Sequence, residues 1–354
     1  MKKIAIIGGG GTGCCTAAVS KLRGFDVILY ERRDCWADNI EGIIEKGGVE
    51  LTGCDYTGFA EFPITDNLEE AVNFADIVLV ISVSWRHQEL AEALAPLLKP
   101  NHVVVFSAGN FASIQLKNIL GLDSPVLVGD MGGSIFSARM IDKGVGLIAN
   151  PHGYVTKNLA AFPAKHTGKV IAAINPFFPC TSMKNVFETA LNSPNVTIHL
   201  ACSLLCCSQI DKKQDFALYA EGLTKSQYTV CKAVDDEKIA VLEKFGYEAK
   251  RVADEVLILM DYENHRELDL FRSLKGPSSM MHRYIREDAT CGESMLICLA
   301  EMVGVDVPLL KALVKIASVI NGEDYIDLGF TLKSLSIESN SPEELNKYLY
   351  DGSK

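Results

Sequence analysis

Two segments in the second half of the sequence carry side chains that could transfer a proton and bind a carboxylate. His199 stands in the otherwise apolar segment at residues 192–205, and the segment at residues 282–289 brings Arg283 and Asp288 close together. Taken singly, His199 could be a buried structural histidine and Asp288 a helix N-cap. Taken together, they form the usual proton-transfer pair, because a carboxylate fixes the tautomer of an imidazole that titrates near neutral pH.

Arg283 is a cation in a chain whose overall balance is acidic. Its planar guanidinium can bind a carboxylate through two parallel hydrogen bonds. Arg286 follows three residues later and stays open as a residue that shares or takes this role. An acid/base histidine, a carboxylate-binding arginine and a nicotinamide are together the groups needed to reduce a carbonyl or an imine beside a carboxylate.

The N-terminal segment at residues 4–13 predicts where a nicotinamide cofactor binds. It is an apolar run that enters a glycine cluster, and Gly8, Gly10 and Gly13 fit the spacing G-x-G-x-x-G. In that motif the first glycine permits a tight turn, the second lets the backbone approach a pyrophosphate, and the third allows close helix–strand packing. The order of strand, glycine turn and helix therefore indicates a dinucleotide site.

The helix after the glycines, predicted at residues 12–23, would turn the amides of Gly11 and Thr12 towards the phosphates. A second strand ends at Glu31, the distance at which a carboxylate hydrogen-bonds the adenosine ribose. Arg32 follows, and it could either accept the 2′-phosphate of NADP or belong to a solvated loop. The sequence thus predicts NAD or NADP as the cofactor, and the carboxylate favours NAD.

The first half of the chain alternates apolar strands with helices. This order predicts an α/β domain with a doubly wound parallel sheet, whose ligands lie at the carboxyl ends of the strands. His87 follows one such end, and it stands either at the edge of a pocket or at a helix start that faces solvent. The segments VGLIAN and KVIAAIN, at residues 145–150 and 169–175, are predicted as further short strands of this domain.

Past Asn192 the strand signals mostly stop and helical periodicity takes over. We therefore place a domain boundary near residues 185–192. Residues 1–188 are predicted to form the NAD(P)-binding domain, and residues 189–354 a helical substrate and catalytic domain. Only the tail after Glu338 looks loosely attached.

The composition limits the classes of partner and the cellular compartment that we expect for this protein. The chain has 354 residues, of which 48% are hydrophobic and 22% charged, as in ordinary globular proteins. A net charge of −11 argues against a nucleic-acid partner. No apolar stretch reaches the roughly 18 residues that span a bilayer, and no secretion signal is evident, so we expect a cytoplasmic protein. The eleven cysteines lack C-x-x-C spacing, and we expect reduced thiols rather than disulfides or metal ligands.

Several segments resemble the octopine/nopaline dehydrogenase family, the opine dehydrogenases. The specific ones are an Asn-Pro-x-x-x-His type segment that ends at His199, YAEGLTKSQYTVCKAVDDEKIAVLEKFG at residues 219–246, and GPSSMMHRYIREDATCGESMLICLAEMVGVDVPLLKALV at residues 276–314. The resemblance covers nearly the whole chain and includes the glycine turn, which many dehydrogenases share. It implies a Rossmann-type domain followed by an all-helical domain, with the active site in the cleft between them.

The resemblance also implies a reaction. The family condenses the amino group of an amino acid with a 2-oxo acid and reduces the imine with NADH or NADPH to an N-(carboxyalkyl)amino acid. His199 matches the family's acid/base histidine, Asp288 its aspartate partner, and Arg283 the arginine that binds a substrate carboxylate. Leu200 stands where the family usually has proline, and VSWR at residues 83–86 replaces a proline and alanine. These departures leave the particular amino acid and 2-oxo acid open.

Two other functions stay open besides an opine-type dehydrogenase. A related two-domain reductase for ketopantoate or another 2-oxo acid would need no amine. A non-catalytic dinucleotide-binding sensor would need no proton-transfer pair, and the joint presence of His199, Arg283 and Asp288 argues against it. A homodimer is one assembly that the sequence allows.

Overall fold

The computed structural model describes residues 2–53, 56–150 and 156–353. The chain divides into two compact units, Met1–Val186 and Phe187–Lys354. The first unit is built on two sheets with helices, and the second on helices. Within the described ranges, no helix combines the length and the apolar character needed to cross a membrane.

The strands of the first unit form two sheets. The larger sheet has the order β12-β11-β8-β7-β6-β1-β2-β5, and the smaller one has the order β4-β3-β10-β9. Neighbours in the larger sheet run parallel, apart from β11, which is antiparallel to β8. In chain order the strands are β1 (Lys3–Ile7), β2 (Asp26–Tyr30), β3 (Val49–Gly53), β4 (Gly58–Ala60), β5 (Ile64–Thr65), β6 (Ile77–Val80), β7 (Val103–Ser107), β8 (Leu127–Met131), β9 (Ala138–Asp142), β10 (Val145–Ile148), β11 (Lys157–Ala161) and β12 (Cys180–Ser182).

Helices cover both faces of the larger sheet. Ile4 and Ile6 of β1 enter one buried core and Ala5 and Ile7 enter another, because successive side chains of a strand point to opposite faces. The first core contains residues of α1, α2 and α6, and the second contains residues of α3, α4 and α5. The predicted doubly wound sheet is thereby confirmed. The helices are α1 (Gly11–Leu22), α2 (Trp36–Lys46), α3 (Leu68–Phe74), α4 (His87–Leu94), α5 (Ala112–Leu120) and α6 (Thr167–Ile174).

One strand prediction in this unit was wrong. Residues 169–175 were expected as a strand, but they belong mostly to helix α6. Val170, Ala173 and Ile174 are buried in the core at the helical spacing i, i+3 and i+4. The segment is rich in β-branched residues, which are typical of strands, and this composition outweighed the helical spacing of its buried positions. The other short segment, residues 145–150, does contain a strand, β10.

The second unit is helical, as predicted. Two of its turns are wound as π-helices, Leu218–Gly222 and Ala289–Glu293. The latter lies between α13 and α14 without a break in the chain's helical path. The α-helices are α7 (Val186–Leu191, which starts at the last residue of the first unit), α8 (Pro194–Leu205), α9 (Cys207–Asp211), α10 (Lys225–Lys244), α11 (Val252–Met260), α12 (Asp269–Arg272), α13 (Arg283–Asp288), α14 (Ser294–Val303), α15 (Pro308–Asn321) and α16 (Pro342–Asp351).

A buried polar network fixes α8 against α10. The ammonium group of Lys238 lies 2.6 Å from Asp235 Oδ1, and both side chains are fully buried. Asp235 also accepts hydrogen bonds from the hydroxyl of Thr197 on α8, at 2.7 Å, and from the amide of Ala253 on α11. Because an unpaired buried charge is strongly destabilising, these groups hold each other in place. The network thereby sets the position of the helix that carries His199.

The C-terminal tail is packed, so the expectation of a loose attachment after Glu338 was wrong. Ser341 caps α16 by accepting a hydrogen bond from the amide of Glu344. Leu345 of this helix is fully buried, and Asn346 donates a hydrogen bond to the carbonyl of the residue that follows α10. The sequence does contain the S-x-x-E pattern of a capping box, which indicates a helix start at this point.

Asp130, near the end of β8, is completely buried in the first unit. Its carboxylate oxygens accept hydrogen bonds from the amide and the hydroxyl of Ser113 in α5, at 3.0 and 2.8 Å. Burial raises the pKa of Asp130 to about 7, although the bonds from Ser113 oppose the shift. An unfolded aspartate has a pKa of about 3.9. The folded unit therefore keeps a proton here that the unfolded chain loses at lower pH.

We expect this group to lower the free energy of unfolding as pH rises from about 4 to about 7, by about 1.4 kcal/mol per pH unit. The variant Asp130→Asn cannot ionise, so its stability relative to the wild type should rise by about 3 kcal/mol between about pH 5 and about pH 8. Urea unfolding at the two pH values measures this difference. Asp76→Asn changes an exposed aspartate of the same unit and serves as the control. Parallel pH dependences of the wild type and Asp130→Asn would contradict the prediction.

Candidate functional site

The glycine turn of the first unit has the geometry of a phosphate cradle. Gly8 adopts a positive φ of 125°, and a Cβ there would stand 2.1 Å from the carbonyl oxygen of Ile81. A Cβ on Gly13 would stand 1.8 Å from the carbonyl oxygen of Gly8, so α1 packs closely against the turn. Beside Gly10, by contrast, a Cβ would meet nothing within 4 Å. The first and third glycines are thus required by packing, and the second leaves its backbone open to a ligand.

The first turn of α1 presents backbone amides at this open place. Gly10 is the N-cap residue, and no side chain caps the helix start. Gly11 and Thr12 begin the helix, and the backbone of Arg139 in β9 lies 3.0 Å from where a Cβ of Gly11 would be. Uncapped amides at a helix N-terminus bind anions, since their dipoles point at the ligand. The predicted cofactor residues 8–13 therefore form one continuous loop and helix start.

Glu31 lies at the end of β2, as expected, and its carboxylate contacts the glycine turn. Oε2 accepts a hydrogen bond from the amide of Gly9 at 2.7 Å, and Oε1 accepts one from the amide of Arg32 at 2.9 Å. The guanidinium group of Arg32 is engaged by two carboxylates, Asp34 at 2.9 Å and Glu89 at 3.1 Å. Both neighbours reduce the positive charge that Arg32 could offer to a phosphate.

His87 begins α4 and is fully buried, so it does not face solvent as one of the two expectations had it. Its Nε2 atom lies 3.3 Å from the carbonyl oxygen of Ser82, and its ring edge contacts Phe106. Trp85, one of the unusual residues just before it, is half-exposed. Arg86 lies 3.7 Å from Glu89. The structure thus makes His87 part of the packing behind the strand end.

In the second unit, the structure brings His199 and Asp288 together. Nδ1 of His199 lies 2.8 Å from Oδ2 of Asp288, although the two residues are 89 positions apart. His199 is 4% exposed and Asp288 6% exposed. A carboxylate can only accept a hydrogen bond, so Nδ1 carries the proton and Nε2 is left as the atom that gains or loses one. Asp288 is therefore a partner of His199, not an N-cap.

Two tyrosines that the sequence did not single out also contact the imidazole of His199, one at Nε2 and one on a ring face. Nε2 of His199 lies 3.0 Å from the hydroxyl oxygen of Tyr219. The ring of Tyr284 stacks on the imidazole, with 3.7 Å between ring centroids and an angle of 14° between the planes. Tyr284 lies between Arg283 and Asp288 in a segment that was already noted, whereas nothing in the spacing of the sequence points to Tyr219.

The structure separates the roles of Arg283 and Arg286. Arg286 forms two hydrogen bonds with Glu323, at 3.1 and 3.2 Å, so its planar fork already holds a carboxylate. Arg283 approaches its carboxylate less closely, Glu287 at 3.7 Å, while the two arginine side chains are about equally exposed, at 32% and 34%. Arg283 begins the same helix, α13, that ends at Asp288. Of the two arginines, Arg283 thus keeps donors for a further carboxylate.

A buried acid adjoins the pair. Glu293 ends the π-helical turn after α13 and is 1% exposed. Burial raises the pKa of Glu293 well above its usual range, and the charge of Asp288 raises it further. Its Oε2 atom has no hydrogen-bond partner among the described residues. Burial and the charge of Asp288 thus both favour the neutral form of Glu293.

The described residues show no group of side chains placed to hold a metal ion. Ten cysteines lie in these ranges, all as free thiols, and Cys54 lies outside them. The sulfur atoms of Cys202 in α8 and Cys231 in α10 lie 3.5 Å apart.

Two families match the two halves of the chain. The family described as NAD/NADP octopine/nopaline dehydrogenase, alpha-helical domain, matches residues 182–321, and ketopantoate reductase PanE/ApbA matches residues 4–129. The opine dehydrogenase of Arthrobacter sp. (strain 1C) is 25% identical over 347 residues, which cover 95% of each protein. The vitopine synthase of Allorhizobium ampelinum is 21% identical over 364 residues and covers 97% of each.

Solved structures share the fold over the whole chain. Octopine dehydrogenase with NADH and L-arginine has a TM-score of 0.72 at 17% identity and covers 100% of this chain and 99% of its own. The same enzyme with NADH and pyruvate has a TM-score of 0.70 at 16% identity, with the same coverage. A ketopantoate reductase from Ralstonia eutropha JMP134 has a TM-score of 0.62 at 18% identity and covers 90% and 98%.

Fold and site together define a two-domain protein of the dehydrogenase class, in which a Rossmann-type domain precedes a helical domain with a buried histidine–aspartate pair. Within that class, residues 182–321 match the octopine/nopaline dehydrogenase family, and the opine dehydrogenase of Arthrobacter sp. (strain 1C) is similar to the chain over 95% of its length. The resemblance seen in the sequence is thereby confirmed.

Proposed function

We propose that the chain is an NAD(P)-dependent opine-type dehydrogenase, which condenses the amino group of an amino acid with a 2-oxo acid and reduces the imine. The observation that carries the proposal is the buried pair of His199 and Asp288 with Arg283 on the same helix as Asp288. The relative that matches over 95% of the chain at 25% identity is an opine dehydrogenase. Octopine dehydrogenase has been solved with an amino acid and with a 2-oxo acid, which supports both substrate classes.

Residues 1–188 are proposed as the cofactor domain. The open backbone at Gly10, the packed glycines on either side, and the uncapped amides of Gly11 and Thr12 fit a dinucleotide pyrophosphate. Glu31 stands at the strand end where a carboxylate meets the ribose. When bound, the dinucleotide supplies a hydride to the substrate carbon.

Residues 189–354 are proposed as the substrate and catalytic domain. His199 exchanges a proton with the substrate through Nε2, because its Nδ1 proton is held by Asp288. In the charged imidazolium form, both ring nitrogens carry protons, and the carboxylate of Asp288 stabilises that form. Arg283 binds a substrate carboxylate with the donors that Glu287 leaves unused at 3.7 Å.

The pairing of Arg32 with Asp34 and Glu89 supports NAD over NADP. A 2′-phosphate would have to compete with both carboxylates for the guanidinium group. These pairs are exposed and therefore weak, so the preference should be moderate. We expect kcat/KM for NADH to exceed that for NADPH by about tenfold, which corresponds to about 1.4 kcal/mol.

Removal of the two carboxylates that pair with Arg32 should reduce the preference for NADH over NADPH. In the double variant Asp34→Asn with Glu89→Gln, we expect kcat/KM for NADPH to rise about threefold to tenfold, because the guanidinium group regains its charge for the phosphate. Glu92→Gln alters the same helix α4 at a carboxylate that accepts from Gln88 instead, and it should change neither cofactor's kcat/KM. A wild type that prefers NADPH, or a double variant that behaves like Glu92→Gln, would refute this account.

The function itself is tested by oxidation of NADH and NADPH with pyruvate, 2-oxoglutarate or glyoxylate, each with and without a panel of amino acids. Oxidation that requires both cosubstrates, with an N-(carboxyalkyl)amino acid as the product, is the expected result. Oxidation with the oxo acid alone would favour a ketopantoate-type reductase, which the family match at residues 4–129 makes the second candidate. Cofactor binding without any turnover would leave a sensor as the function.

We keep the cytoplasm as the proposed compartment, because free thiols persist where the environment is reducing. A homodimer stays a prediction from the sequence. The amino acid and the 2-oxo acid are to be identified from the substrate panel.

A further inference from the structure

The hydroxyl group of Tyr219 contacts Nε2 of His199, the ring nitrogen that exchanges a proton in the proposed reaction. The hydroxyl oxygen lies 3.0 Å from Nε2, while Nδ1 is engaged by Asp288 at 2.8 Å. One face of the imidazole is covered by Tyr284. Because His199 is almost completely buried, a proton that leaves Nε2 first reaches the oxygen of Tyr219.

Contacts on several sides hold Tyr219 in this position. The residue is 6% exposed and belongs to the π-helical turn Leu218–Gly222. Its ring packs against Phe271, with 4.6 Å between the ring centroids. Tyr284, the residue that stacks on His199, lies close enough to raise the pKa of Tyr219. These contacts hold the side chain of Tyr219 in place beside Nε2 of His199.

The phenol can carry a proton in either direction. Burial raises the pKa of Tyr219 well above its usual range, and Tyr284 raises it further, so the hydroxyl group keeps its proton. A hydroxyl group has one proton to donate and lone pairs to accept. When Nε2 of His199 is unprotonated, Tyr219 donates to it. When Nε2 carries a proton, Tyr219 accepts that proton and can donate its own onward.

We infer that Tyr219 is a catalytic residue that passes the proton between Nε2 of His199 and the reacting nitrogen or oxygen of the substrate. The inference rests on the proposed function and assigns the site a second proton carrier. His199 then acts on the substrate through one intervening oxygen atom. Each transfer moves two protons at once, so Tyr219 remains a phenol throughout.

The protons balance over the condensation. The ammonium group of the amino acid gives a proton to Tyr219, and Tyr219 gives its own to His199. The free amine then adds to the carbonyl carbon of the 2-oxo acid as the C=O π electron pair moves onto oxygen, and one proton passes from the nitrogen to that oxygen. When the resulting carbinolamine loses water, its C–O bond breaks and the nitrogen lone pair forms the C=N bond. The leaving oxygen takes the proton of Tyr219, and Tyr219 recovers one from His199. The iminium ion is then ready for the hydride of the proposed function.

The test is Tyr219→Phe in the full-length protein, with Tyr262→Phe as the matched control. The hydroxyl group of Tyr262 donates to the carbonyl of Ala220 at 2.8 Å, so the control removes a phenol bond from the same turn but not from His199. We expect Tyr219→Phe to lower kcat by about 10²- to 10³-fold, since a positioned proton donor contributes on this scale. KM for the 2-oxo acid, Kd for NADH and all parameters of Tyr262→Phe should stay within about twofold.

The dependence of kcat on the fraction of D₂O distinguishes a relay from a structural tyrosine. We expect a curved dependence in the wild type, as two protons move together, and a linear one in Tyr219→Phe. Incorporation of 3-fluorotyrosine at position 219 keeps the ring and its hydrogen bonds but makes the hydroxyl group more acidic. The fluorinated protein should show an altered kcat and an altered solvent isotope effect at unchanged stability. This measurement tests the relay even if the Tyr219→Phe variant does not fold.

Three results would overturn the relay while the proposed function stands: a Tyr219→Phe variant within about threefold of the wild-type kcat, an equal loss in Tyr262→Phe, or an unaltered solvent isotope effect with 3-fluorotyrosine. A wild type that forms no N-(carboxyalkyl)amino acid from any substrate pair would instead refute the proposed function, and the relay with it. The two failures are therefore distinguishable from the wild-type assay alone.

Discussion

Replacement of His199 by glutamine is expected to lower kcat for opine synthesis by about 10²- to 10⁴-fold, the range that a general acid/base contributes. Glutamine can keep a hydrogen bond to Asp288 or to Tyr219, but it cannot take up and release a proton near neutral pH. Kd for NADH should remain at the wild-type value, because the proposed cofactor residues all lie before residue 188. Steady-state kinetics and a fluorescence titration with NADH measure the two quantities.

The matched control is His265→Gln. His265 is also paired with a carboxylate in the second unit, Glu267 at 3.0 Å, but this pair is exposed at the surface. Its removal should leave kcat within about twofold of the wild type, because surface pairs contribute little. If His199→Gln retained full activity, or lost no more than His265→Gln, His199 would not be the acid/base group.

Replacement of Arg283 by lysine is expected to lower kcat/KM by about 10- to 100-fold. Lysine keeps the positive charge but loses the planar fork, and a hydrogen bond to a charged group contributes about 1.5–3 kcal/mol. Most of the loss should appear in KM for the substrate whose carboxylate Arg283 holds. Separate KM values for the amino acid and for the 2-oxo acid therefore identify that substrate.

Arg286→Lys is the control for this change, since it is the same substitution three residues along the same helix. Arg286 is engaged by both oxygens of Glu323, so we expect a loss of stability and little change in either KM. An increase in KM for Arg286→Lys that matches or exceeds that for Arg283→Lys would assign the carboxylate to Arg286. The two variants thus decide a question that spacing in the sequence left open.

Those parts of the site that depend on local sequence could be predicted. The glycine spacing fixes where a Cβ is forbidden, and the close contacts at Gly8 and Gly13 follow directly from it. The histidine and the aspartate could be paired from their chemistry, because few other partners explain a histidine in an apolar helix. Their distance of 2.8 Å required the packing of α8 against α13, which the sequence does not specify.

Other parts depend on contacts between distant segments. Tyr219 reaches His199 from a turn with no helical or strand period of its own, so no pattern marks it. Arg283 and Arg286 are equivalent by spacing, and only the position of Glu323 separates them. The helix at residues 169–175 was mistaken for a strand because its β-branched residues outweighed the spacing of its buried positions.

The polypeptide passes from the first compact unit to the second once, between Val186 and Phe187. Every residue proposed for the cofactor precedes that passage, and every residue proposed for proton transfer and carboxylate binding follows it. A mutation that exchanges NAD for NADP at Arg32 therefore need not disturb the environment of His199, and a change around Arg283 need not alter the glycine turn. Coenzyme use and substrate choice can accordingly evolve along separate lines within one gene, each by few substitutions.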